Sequence, residues 1–118
     1  MTLPTIDQAA FDHLLEITGD DLEFVDELID TYLADASVQL DAMQAAASSG
    51  DAAALVGPAH SLKSSSANVG AMALADICRA LEAAARTGVV PDAMERVTAC
   101  GQAFADARSA LLQARAAR

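Results

Sequence analysis

The sequence predicts an all-α fold, an antiparallel up-down four-helix bundle with an additional N-terminal helix across one end. Three observations predict it. Hydrophobic residues make up 53% of the chain but aromatics only 3%, with no Trp, three Phe and one Tyr. The core must therefore be built from Ala, Leu, Val, Ile and Met. Alanine is the strongest helix former, whereas strands favour β-branched and aromatic residues. Apolar residues recur at spacings of three and four, the period of one helix face. Glycine, proline and capping residues punctuate the chain at helix-length intervals. The 118 residues fit a single domain over 1–118, and no repeat, linker or low-complexity tract divides them.

Over residues 5–17, Ile6, Ala10, Phe11, Leu14 and Leu15 form one stripe, and Gly19 ends it. Asp20 is a good N-cap for the second helix, with Glu23 three positions later as its capping-box partner. That helix is expected over about 21–47, with Leu22, Val25, Leu28, Ile29, Tyr32, Leu33, Ala36, Leu40 and Met43 on its apolar side. Ser48-Ser49-Gly50 stops it and Asp51 caps the third, about 52–68. Gly57-Pro58 falls inside the third helix. Proline there removes a hydrogen bond and crowds the Ala54 carbonyl, so a kink is expected, the alternative being a new segment starting at Pro58. After Gly70, Leu74, Ile77, Cys78, Leu81 and Ala85 line a fourth helix at about 72–86, closed by Gly88. Pro91 suits the first turn of a last helix, about 91–116, lined by Met94, Val97, Phe104, Leu111 and Leu112. Short connections between four longer helices give the up-down order.

Charge excludes whole classes of partner. Residues 1–50 hold eleven acids and no Lys or Arg; the remainder holds six acids and all seven basic residues. The net charge of −10 opposes binding to nucleic acid or an anionic membrane surface. No apolar run reaches the roughly 18 residues of a membrane span. The segment Met1–Asp7 has neither the basic flank nor the apolar stretch of a signal peptide, so a cytoplasmic location is expected. Cys78 and Cys100 are too far apart for a CxxC motif and read as buried free thiols.

The segment that carries chemistry is Ala59-His60-Ser61-Leu62-Lys63-Ser64-Ser65-Ser66-Ala67. On a helix, Leu55, Ala59, Leu62, Ser66 and Val69 form the buried seam, while His60, Lys63, Ser64 and Ala67 lie on another face. The histidine is displayed rather than packed, next to a cation and beside small residues. Histidine's ordinary pKa near 6.5 leaves a neutral ring with a free lone pair at physiological pH. Lys63 can offset the charge of a phosphoryl group attached to that ring, and the small Ser64 and Ala67 leave room for an incoming domain. If the third and fourth helices turn near Ala71, Glu82 lies level with His60. It can then accept a hydrogen bond from Nδ1–H and leave Nε2 as the attacking atom. Equally, Glu82 can pair along its own helix with Arg86 or Arg79.

The run His60-x-Leu62-Lys63-x-Ser65-Ser66-x-x-Val69-Gly70-Ala71 resembles the signature of the histidine-containing phosphotransfer (HPt) domain family. Cys78, Leu81-Glu82 and Gly88 resemble its following helix, and Thr18-Gly19-Asp20-Asp21 with Leu28-Ile29-Asp30-Thr31-Tyr32 its first long helix. The resemblance implies a phosphocarrier, without ATP-dependent kinase activity of its own, in a two-component phosphorelay. His60 would be the phosphorylated nucleophile, Lys63 the residue stabilising the phosphoryl group, and Glu82 the residue orienting the imidazole. Partners would be response-regulator receiver domains or a hybrid histidine kinase. No cofactor is implied, Mg²⁺ being expected in the receiver. The position four after the histidine is often glycine in the family and is Ser64 here, still small and with a hydroxyl able to bond the phosphoryl group.

The other histidine, His13, sits on an acidic amphipathic helix and reads as surface. No ExxH or HxxxH spacing suggests a metal site. Ser64-Ser65-Ser66 lacks the glycine-flanked elbow of a serine nucleophile. Two alternative functions remain: an adaptor that binds receivers without being phosphorylated, and the phosphoacceptor domain of a chemotaxis-type kinase. The Met1 start and the basic Arg115–Arg118 tail favour a free-standing protein, expected to be monomeric. Leu14 and Ile17, flanked by Asp12 and Glu16, are expected to extend the docking surface around His60.

Overall fold

Asp21 accepts a hydrogen bond from the Phe24 amide at 3.1 Å and so starts the first long helix. A computed structural model of the chain describes residues 12, 16, 19 and 21–116. Its long helices are α1 (Leu22–Ser48), α2 (Ala52–Asn68), α3 (Met72–Arg86) and α4 (Ala93–Ala116). No strand occurs among the described residues. The helix expected over 5–17 and His13, Leu14 and Ile17 lie outside the described residues, apart from Asp12 and Glu16, which are helical and exposed.

The bounds of α2 and α3 are those the sequence predicts, and Asp51 caps α2 by accepting from the Ala54 amide at 3.1 Å. Two boundaries are corrected. The cap of α1 is Asp21, one residue after the expected Asp20, which itself lies outside the described residues. Helix α4 begins at Ala93, and Pro91 lies in the preceding turn instead of the first helical turn. In each case neighbouring residues are chemically fit for the position, and packing selects between them. Helix α2 runs through Pro58 as one helix, which removes the alternative of a separate segment starting there. Between α1 and α2 and between α3 and α4, Gly50 and Gly88 take φ of +70° and +88°, a left-handed conformation that favours glycine and ends each helix sharply.

Helix α1 packs on α2 and α4, and α3 packs on the same two helices, so the four close a ring around one core. The most extensive interface joins α2 and α3. Small residues are buried on both helices, Ala59 and Ser66 on α2 and Ala75 and Ala85 on α3, and small side chains permit close approach of helix backbones. The bulk of the core comes from Ile29, Met43, Leu55, Leu62, Leu74, Leu81 and Leu111, each under 2% exposed. Among the described residues the expected apolar stripes are inside with two exceptions. Leu22 and Met94 are 45% and 43% exposed because each sits in the first turn of its helix, at the margin of the core. The two thiols of Cys78 and Cys100 are free and buried, as the sequence indicates. Tyr32 ties three helices together: its hydroxyl hydrogen-bonds Ser66 of α2 at 2.8 Å, and its ring meets Phe104 of α4 edge-on at 6.2 Å. Among the described residues, no helix is long and apolar enough to cross a membrane.

Candidate functional site

The seam of α2 is fully committed to the core: Leu55, Ala59, Leu62, Ser66 and Val69 are all 5% exposed or less. That commitment fixes the rotation of the helix and turns His60 outward, with 55% of its side-chain surface exposed. Lys63, one turn on, is half-buried, Ser64 is exposed and Ala67 half-buried. All four share one face, as expected from their spacing.

The hairpin between α2 and α3 turns through Val69–Ala71 and brings Glu82 level with His60. Nδ1 of His60 lies 3.1 Å from Oε2 and 3.3 Å from Oε1 of Glu82. The two possibilities left open for Glu82 are not exclusive. Its carboxylate also accepts from Arg86, at 2.6 Å from Nη2 and 3.1 Å from Nε, whereas Arg79 pairs with Asp76. A further partner is Lys63, whose Nζ donates to Oε1 at 2.8 Å. Sequence reasoning missed this last contact. The signal was available, since Lys63 and His60 share a face and a carboxylate that reaches one is placed to reach the other.

Only 7% of the Glu82 side chain is exposed. A buried carboxylate is costly unless several donors satisfy it, and here three residues do. Hydrogen bonds from Lys63 and Arg86, helped by His60, outweigh burial and pull its carboxyl pKa down to about 2. Glu82 is therefore ionised at neutral pH and can only accept. It follows that Nδ1 of a neutral His60 ring carries the hydrogen and that Nε2 bears the free lone pair. Nε2 has no hydrogen-bond partner among the described residues. An exposed imidazole in this tautomer has a free lone pair with which it can act as a nucleophile, and an ammonium group lies one helical turn away.

A depression of about 470 Å³ lies elsewhere, between the α1–α2 and α3–α4 connections, and its lining contains none of these residues. His60 stands outside that depression, on an exposed helix face.

The model of the Hpt domain matches residues 27–116. The chain is also similar to the crystal structure of histidine-containing phosphotransfer protein B (HptB) from Pseudomonas aeruginosa PAO1. The two share 33% identity with a TM-score of 0.88, and 99% of each chain is covered. No curated protein matches the chain.

Proposed function

The chain belongs to the Hpt domain family, and on that premise we propose that it is a phosphocarrier of a two-component phosphorelay with His60 as its phosphorylated residue. Nε2 of His60 attacks the phosphorus of an aspartyl phosphate on a receiver domain. The P–O bond to the aspartate breaks, the N–P bond forms, and the carboxylate leaves. The reverse step delivers the group to a second receiver or returns it to a hybrid kinase. Glu82 holds Nδ1–H and so keeps the reacting nitrogen unprotonated, while Lys63 neutralises the phosphoryl oxygens. Ser64 and Ala67 keep the docking face low. The chain supplies no ATP-dependent kinase activity, and Mg²⁺ is provided by the receiver.

The single observation that carries this reading is an exposed imidazole whose inner nitrogen is held by an ionised, buried carboxylate. The helix order is read as up-down and antiparallel in one domain. Three-residue connections after α1 and α2 and the ring of helix contacts support this. The carrier is read as a cytoplasmic monomer.

Incubation with a phosphorylated receiver domain tests the proposal. The expected outcome is an acid-labile phosphoryl group on the chain, absent from His60→Gln. Tight binding without transfer of label would identify an adaptor instead. Efficient labelling by ATP and a kinase catalytic domain, with little from receivers, would identify a kinase phosphoacceptor domain.

A further inference from the structure

Lys63 faces two claims on one ammonium group. In this structure its Nζ is bonded to Glu82 Oε1 at 2.8 Å, yet the reading above also asks it to meet the phosphoryl group on His60 Nε2. As the ammonium turns part of its donors toward the phosphoryl oxygens, its hold on Glu82 weakens. Glu82 is 7% exposed, and a buried carboxylate stripped of its cation is strongly disfavoured. The geometry supplies a replacement. Arg86, one turn along α3, already donates twice to Oε2, the oxygen that Lys63 does not bond. Its side chain is 60% exposed, so it reaches the carboxylate of Glu82 from the protein surface.

We propose that Arg86 is a positioning residue for phosphoryl transfer, acting through Glu82. It keeps the carboxylate compensated and aimed at His60 Nδ1 while Lys63 moves to the phosphoryl oxygens. The two cations divide the work. Arg86 is the permanent counter-ion of Glu82, and Lys63 is the exchangeable one. Arginine suits the permanent role because its planar fork donates from Nε and Nη2 to the same carboxylate, whereas the lysine ammonium on its flexible stem changes partners readily.

This inference rests on His60 being the phosphorylated residue, and phosphoramidate, a small phosphoryl donor, separates the two claims without a partner protein. Nε2 attacks its phosphorus, the P–N bond of the donor breaks, the new N–P bond forms, and ammonia leaves. Phosphohistidine is followed by the mass gain and by phosphorus NMR in wild type, Arg86→Gln, Arg86→Lys, Glu82→Gln and the Glu82→Gln/Arg86→Gln pair. Ring nitrogen NMR reports the His60 tautomer in each.

Arg86→Gln is expected to lower the rate of labelling on the order of threefold to tenfold, the range of a partly exposed, hydrogen-bonded ion pair. It is also expected to reduce the population carrying hydrogen on Nδ1. Arg86→Lys, which restores a cation, should recover most of the rate. In the Glu82→Gln background the Arg86→Gln change should have no effect, because no carboxylate is left to hold. Equal labelling and an equal tautomer population in wild type and Arg86→Gln would overturn the inference and leave the phosphocarrier reading intact. A slower Arg86→Gln rate that persists undiminished in the Glu82→Gln background would also overturn it, since Arg86 would then act on the donor directly. Absence of label on wild-type His60 would overturn the functional reading itself.

Discussion

Glu82 makes the pH dependence of this protein a local question. Its carboxyl is lowered from 4.5 to about 2, first by Lys63 and then by Arg86. A carboxyl depressed by folding stabilises the native state above its unfolded value and loses that contribution as pH falls. Stability should therefore drop between about pH 4.5 and about pH 2. Glu82→Gln removes one titrating group from that window. Thermal unfolding followed against pH is expected to show a shallower acid limb in this variant, with Asp30 and Asp92, also lowered, supplying the remainder. An identical slope would mean that the His60–Glu82–Lys63–Arg86 network contributes nothing to the fold. At the alkaline end the reporter is Tyr32, the single tyrosine of the chain. Burial raises its phenol from 10 to about 12, partly offset by the bond to Ser66. A raised value means that the contribution is intact below about pH 10 and disappears as pH climbs through about 12. Phenolate absorbance should accordingly appear late in the folded protein and near the ordinary value once it is unfolded. Ser66→Ala leaves the buried hydroxyl of Tyr32 without its partner and is expected to lower stability by about 1–3 kcal/mol in denaturant titration, with the helix content retained.

Helix α2 carries the reacting histidine and also the least favourable residue for a helix. Pro58 lies seven residues into it, two before His60, and cannot donate to the Ala54 carbonyl. The helix survives because its seam is wholly buried and Asp51 caps its start. Packing and capping outweigh the local penalty. Pro58→Ala restores the missing donor and is expected to raise stability by about 1 kcal/mol or more, read as a higher denaturation midpoint at unchanged slope. A lower midpoint would show that the proline's rigidity is worth more to this helix than one backbone bond. The same variant measures whether the proline sets the presentation of His60, since a change in phosphoryl transfer without a loss of stability would separate presentation from folding.

Charge acts across the whole molecule. With six acids and no Lys or Arg between Leu22 and Ser48, α1 would repel itself, and Arg115 near the end of α4 answers part of this. It reaches back to Asp26 at 3.2 Å and Asp30 at 2.7 Å, closing the ring of helices between its first and last members. These pairs are at the surface, where screening weakens them, while the net charge of −10 is a repulsion that salt also relieves. The repulsion involves many more groups than the few pairs, so it should dominate. The melting temperature is expected to rise as salt is increased from low to physiological ionic strength. A fall would show that the ion pairs outweigh the net charge.

Periodicity, with the Asp51 cap and the stops at Gly50, Gly70 and Gly88, determined that α2 and α3 would span 52–68 and 72–86, that Leu55, Ala59, Leu62, Ser66 and Val69 would be inside, and that His60 would not be. Each of these follows from helical spacing and from the cost of exposing apolar surface, which are properties of neighbours along the chain. The level of Glu82 with His60 was also legible, because a short hairpin fixes which residues lie opposite. What only the tertiary structure decided is which of several competent partners each group takes. Asp21 caps where Asp20 could have; Glu82 binds Lys63, Arg86 and His60 together; and Ser66, a buried seam position by spacing, proves to be the hydrogen-bond partner of Tyr32 across the core. Spacing ranks positions by face, but a polar group selects its partner by distances of about 3 Å across separate helices. Those distances exist only after the helices have packed.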